Sequence, residues 1–178
     1  MAMKSDAEYF IEACIKRDEK ACRQLYERFA PKMYGVCLRY THSSAAAEDV
    51  LHDGFIKVFE NLDKLRDANA LGAWIKRIMV HTAINYIRSE KPLVLNDFDK
   101  EYGNYATSDD IYDKIDADIV MKAIQELPGS FRSVLNLCEV EGYSIKEASE
   151  MLKIKESSVR GALVRAKRML AEKLKEQI

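Results

Sequence analysis

The sequence predicts an all-α protein: two helical domains joined by a flexible acidic linker, the C-terminal one a helix-turn-helix. Three observations predict it. Apolar residues recur at helical spacing along most of the 178 residues, with only seven Gly and three Pro to interrupt them. Charge divides unevenly: residues 1–90 carry 14 basic and 13 acidic side chains, residues 91–118 carry 3 and 8, and residues 119–178 carry 11 and 8. A capped short helix, three connecting residues and a longer basic helix follow one another between Ser144 and Lys175.

The acidic block holds Lys91-Pro92, Gly103-Asn104, Thr107-Ser108 and Asp109-Asp110, which are turn and breaker residues without helical periodicity. A structureless loop of this length is uncommon inside one compact domain. The expected limits are therefore a domain at 1–90, a linker at 91–111 and a domain at 112–178. A net charge of -1 excludes a globally basic nucleic-acid coat but leaves room for local basic faces. No apolar run approaches the ~20 residues of a membrane span. The charged stretch Met1 to Asp18 lacks a signal-peptide core. A cytoplasmic location without membrane insertion is expected. Cys14, Cys22, Cys37 and Cys138 fit no C-x-x-C pattern and read as reduced, core-facing thiols. His42, His52 and His81 pair at no ligand spacing, so neither a metal nor a cofactor is expected.

In the first domain the periodicity predicts helices near 5–17, 19–29, 31–41, 44–63 and 70–89. Asp18 reads as an N-cap, Pro31 as a first-turn proline and Ser44 as a cap. The helix at 44–63 turns Val50, Leu51, Phe55, Val58, Phe59 and Leu62 to one side. It repeats Asp49, Asp53, Ile56 and Glu60 on another. Carboxylates around an exposed isoleucine suit a protein partner with a basic helical surface.

The helix at 70–89 carries the most information. Leu71, Ile75, Ile78, Met79, Val80, Ala83, Ile84 and Ile87 make it largely apolar. Trp74, Arg77, His81, Asn85 and Arg88 fall within roughly an 80° arc at 100° per residue. Two cations, an amide, an imidazole and an indole on one stripe suit single-stranded or distorted nucleic acid, where exposed bases stack and phosphates need countercharge.

In the second domain helices are expected near 111–126, 129–140, 144–152 and 156–175. Ser144-Ile145-Lys146-Glu147 reads as a capping box. On the last helix Val159, Ala162, Leu163, Ala166, Met169 and Leu170 take one side. Ser157, Ser158, Arg160, Gly161, Arg165 and Arg168 take the other, with Gly161 near its middle. The window Lys153 to Arg168, which includes Lys155 and Lys167, holds six basic residues and one acidic. Lys and Arg neutralise phosphates or grip guanine, Ser reads either base type, and a central Gly lets backbone approach the groove. The face is read as a duplex-DNA contact. Lys153 occupies a turn where Gly is easier, and Lys155 stands where a Ser or Thr cap is expected.

Two classes of function compete on these residues. One is a factor that binds nucleic acid and a protein partner together. The other is a stand-alone helix-turn-helix regulator whose N-terminal domain senses a signal or dimerises. An enzyme is not expected, since no phosphate-cradling glycine loop, nucleophile elbow or paired His-Glu motif occurs.

The combination resembles a group IV, or extracytoplasmic-function, RNA polymerase sigma factor of the sigma-70 family. The resemblance rests on Ala47-Glu48-Asp49-Val50-Leu51-His52-Asp53-Gly54-Phe55-Ile56-Lys57-Val58-Phe59, Trp74-Ile75-Lys76-Arg77-Ile78 and Tyr86-Ile87-Arg88. A second group is Leu127-Pro128, Phe131-Arg132, Glu141-Gly142-Tyr143-Ser144, Glu147-Ala148, Ser158-Val159 and Leu163-Val164-Arg165-Ala166-Lys167. It implies that Asp49, His52, Asp53, Phe55 and Lys57 lie on the helix that docks to the polymerase core, the face that Ile56 and Glu60 continue. It implies that the loop Arg66–Leu71, with Arg66 and Asn69, joins the Trp74–Arg88 stripe in opening the minus-10 promoter element. The helix-turn-helix would bind the minus-35 element. An anti-sigma factor is the further partner implied. His52 stands where the family commonly has Gln, His81 where it has Asn, and Lys153 where it has Gly.

Overall fold

The computed structural model describes residues 6–90 and 116–176, and all regular structure among them is helical. These residues form two units. The first comprises 6–38 and 43–86; the second comprises 39–42, 87–90 and 116–176. The acidic segment expected as the linker, 91–111, lies outside the described residues.

Helix α1 (Asp6–Ile15) ends in a tight reversal at Arg17, which adopts the left-handed φ of 62°. Asp18 then caps α2 as expected, its Oδ1 accepting the Ala21 N–H at 2.8 Å. Helix α2 runs unbroken from Glu19 to Tyr40. The expected break before Pro31 is absent. An interior proline withdraws the N–H that would serve the Glu27 carbonyl and costs about 3 kcal/mol. Burial of Leu25, Ala30, Met33, Val36 and Cys37 on both sides of it offsets that loss.

Helix α3 (Ser44–Asn61) is capped by Ser43 rather than Ser44: the Ser43 Oγ accepts the Ala46 N–H at 3.2 Å. Two short 3₁₀ turns follow, Leu62–Lys64 and Ala68–Ala70. Asp67 pins the second by accepting the Asn69 N–H at 2.9 Å. Helix α1 packs on both turns. Helix α4 spans Leu71–Glu90. Val50, Val58, Leu62, Ile75, Met79 and Ile84 are almost wholly buried between these elements. Phe55 lies 4.6 Å from the Tyr26 ring, centroid to centroid.

The second unit begins with α5 (Ala117–Gln125), capped by Asp116 through the Asp118 N–H at 3.2 Å. The helix expected from 111 therefore starts at 117 among the described residues. Helix α6 (Gly129–Leu135) continues through a π turn, Asn136–Val140, which the periodicity did not foreshadow. Its wider ring shows in the Glu141 N–H donating to the Asn136 carbonyl, five residues back, at 2.8 Å. Helices α7 (Ile145–Leu152) and α8 (Glu156–Lys175) complete the unit. Ile124, Leu127, Leu135 and Ala166 form its core, with Val120, Phe131, Leu163, Met169 and Leu170 packed against them. The buried Arg132 guanidinium donates to the Gln125 carbonyl at 2.6 Å.

Candidate nucleic-acid interfaces and docking face

The helix-turn-helix is built by local chemistry. The Ser144 Oγ accepts the Glu147 N–H at 3.2 Å, and Glu147 Oε2 accepts the Ser144 N–H at 2.8 Å, completing the expected capping box. Ala148 is fully buried. Lys153 ends α7 in the left-handed conformation, φ 56°, and gives its N–H to the Ser149 carbonyl. The connection thus forms at a lysine, at the strain cost glycine would avoid. Lys155 occupies the N-cap of α8 without a side-chain cap bond.

On α8, Val159, Ala162 and Ala166 are buried. Lys155, Ser157, Arg160 and Arg168 are exposed, and Ser158, Arg165 and Lys167 are half-buried. Gly161 departs from expectation. It is buried. A helical wheel assigns a direction to a Cβ that glycine does not have, so the wheel could not settle its exposure. The structure adds carboxylate partners that the charge count along the helix did not reveal. Arg160 pairs with Glu156 at 3.1 Å, Arg168 with Glu172 at 2.8 Å, and Lys167 with Glu139 of the π turn at 2.8 Å. The basic face is therefore partly neutralised from within.

Along α4, Arg77, His81 and Asn85 face solvent, and Trp74 and Arg88 are half-buried at the two ends of the stripe. Partial burial, and then the Arg77 charge, hold the His81 imidazole below its ordinary pKa. Arg66 and Asn69 are exposed in the segment that leads into this helix.

On α3, Asp49, His52, Asp53, Ile56 and Glu60 are exposed, Ile56 to 56% of its surface. Two neighbours are not part of that face. Phe55 is 3% exposed, since a residue 100° from Ile56 on the helix faces the core. Lys57 is half-buried and gives its ammonium to Thr82 Oγ1 of α4 at 3.2 Å, so it ties α3 to α4. Beside the face, a shallow groove of about 570 Å³ runs between α2 and α3, lined by Tyr26, Glu27, Ala30, Tyr34, Leu51 and His52 among others. The two tyrosines were not legible as one surface in the sequence because the expected break at Pro31 put them on separate helices.

Among the described residues no cluster of ligating side chains could hold a metal ion. None of their helices is long and apolar enough to cross a membrane.

Comparison with known proteins agrees with this arrangement. The family described as sigma-70 region 2 matches residues 25–92, and sigma-70 region 4 matches residues 117–170. The RNA polymerase sigma-H factor of Pseudomonas aeruginosa is 27% identical, over 98% of this chain and 96% of its own length. The ECF RNA polymerase sigma-E factor of Haemophilus influenzae is 26% identical, over 98% of both. Among solved structures, the sigma factor RpoE of Bartonella quintana, in complex with the anti-sigma factor NepR, matches with a TM-score of 0.54. It is 20% identical, covering 86% of this chain and 96% of that one, a likeness of fold.

Proposed function

The chain belongs to the sigma-70 family of RNA polymerase sigma factors, and from that premise we propose how its surfaces divide the work of promoter-specific transcription initiation. The α4 stripe, with Arg66 and Asn69, takes the unpaired minus-10 strand. The exposed cations hold phosphates, and Trp74 offers an aromatic surface for a base taken out of the stack. The exposed side of α8 binds the minus-35 duplex, with Arg160 and Arg168 exchanging their intramolecular carboxylates for phosphates or guanine edges. The α3 face of Asp49, His52, Asp53, Ile56 and Glu60 docks on the polymerase core, with the groove beside His52 extending that surface. Two weak DNA sites on one chain gain affinity through effective concentration. An anti-sigma factor is the further partner we expect, because the solved relative from Bartonella is in complex with one.

The observation that carries this reading is the α4 stripe: cations and polar groups on a helix that buries Leu71, Ile75, Met79, Val80, Ala83, Ile84 and Ile87. The experiment is Trp74→Ala in polymerase holoenzyme. Duplex binding should persist while promoter opening, read by permanganate reactivity of thymines, falls. Normal opening would make Trp74 a packing residue only.

A further inference from the structure

Away from these interfaces the first unit brings two thiols together at the junction of α1 and α2. Cys14 lies in the last turn of α1 and is 1% exposed. Cys22 lies in the first turns of α2 and is half-buried. The left-handed reversal at Arg17 folds α2 back on α1, so that the Cys22 thiol donates to the Cys14 carbonyl at 3.7 Å. Cys22 is also close enough to the Cys14 thiol to help hold its proton on. Neither is bonded in a disulfide. Packing requires a small apolar group at Cys14 but makes no such demand at half-exposed Cys22, so filling the core does not explain the pair.

We propose that Cys14 and Cys22 are a peroxide-oxidisable dithiol that closes to an intramolecular disulfide. Cys22 is open to solvent and meets the oxidant first. Its sulfur takes one oxygen from hydrogen peroxide, giving a sulfenic acid and releasing one water. The Cys14 sulfur then attacks the Cys22 sulfur. The S–S bond forms, the S–O bond breaks, and the departing hydroxyl leaves as a second water with the Cys14 proton. Two electrons pass from the thiols to one peroxide. Burial and the neighbouring Cys22 push the Cys14 thiol up to about 11, so Cys14 is the poorer first nucleophile toward peroxide, and its attack on the Cys22 sulfenic acid relies on nearness and on passing its proton to the departing hydroxyl.

The site matters for the DNA surface above it. Helix α1 packs on both 3₁₀ turns that bracket Arg66 and lead into α4. A bond from α1 to α2 therefore anchors the support of the segment that bears Arg66 and Asn69.

The test uses the full chain, purified reduced and treated with hydrogen peroxide. The intact mass should fall by two hydrogens, two of the four thiols should be lost, and proteolysis should release a peptide pair joined through Cys14 and Cys22. Cys22→Ser changes a half-exposed position and should abolish the mass loss. A Cys37→Ala, Cys138→Ala double variant should retain it. Accumulation of an unresolved Cys22 sulfenic acid in the wild-type chain, disulfide-linked dimers, or an unchanged mass would each overturn the proposal.

Discussion

Gly54 of α3 faces the Met79 thioether of α4 with no space for a side chain between them: a β-carbon built on Gly54 lands on the Met79 sulfur. Met79 is completely buried and has no solvent to retreat into. Because α3 bears the face proposed to dock on polymerase and α4 the stripe proposed to take nucleic acid, this contact sets the spacing of the two proposed surfaces. Gly54→Ala should destabilise the first unit by about 1–3 kcal/mol, measured by urea unfolding. The loss should be smaller in a Met79→Ala background, because the two positions are coupled.

Charge reversal separates docking from folding. Asp49 and Asp53 are exposed, so Asp49→Lys with Asp53→Lys should leave thermal unfolding nearly unchanged while abolishing co-purification with polymerase core. Phe55→Ala is the contrast. It removes a buried ring packed on Tyr26 and should cost about 3–5 kcal/mol of stability. Retained core binding by the double lysine variant would relocate the docking face.

Salt dependence tests α8. Arg168→Ala should lower the slope of log affinity against log salt for a duplex by about one, because one fewer counterion is released. Glu172→Gln, which removes the charge of the carboxylate 2.8 Å from Arg168, should raise duplex affinity without changing that slope. A slope unmoved by Arg168→Ala would place Arg168 outside the interface.

His81 sets a pH dependence of known sign. Its pKa in the folded chain lies below 6.5, through partial burial and then Arg77. Between 6.5 and that lower value the unfolded chain binds more protons than the folded one. Stability therefore falls as pH drops through that window and is insensitive to His81 above it. His81→Asn should flatten this part of the stability curve. Arg77→Ala should raise the His81 pKa, followed by NMR titration of the imidazole.

Much of the fold was legible from local signals. Asp18, the Ser144–Glu147 box and the 3.6-residue periodicity each act within a turn or two of their own position, so they place helix starts and faces directly. The stripe on α4 was readable for the same reason: Trp74, Arg77, His81, Asn85 and Arg88 share an arc wherever the helix packs. What local signals misjudged was anything settled by competition. Pro31 argued for a break, and burial along α2 outweighed it. Ser43 and Ser44 were equally able caps, and the path into α3 chose the first. No residue type announces the π turn at Asn136–Val140.

The sequence by itself determined that this chain is helical, that it divides at an acidic segment, and which helix faces carry cations, carboxylates or apolar groups. Those properties follow from side-chain chemistry and a fixed helical repeat. Tertiary structure alone decided that Gly161 is buried and that Phe55 packs on Tyr26 instead of joining the docking face. It also decided that Lys57 serves Thr82, that Lys167 is held by Glu139 of the π turn, and that Cys14 meets Cys22. Most of these are contacts between elements, and such a contact depends on where a second element comes to rest, which no single helix encodes.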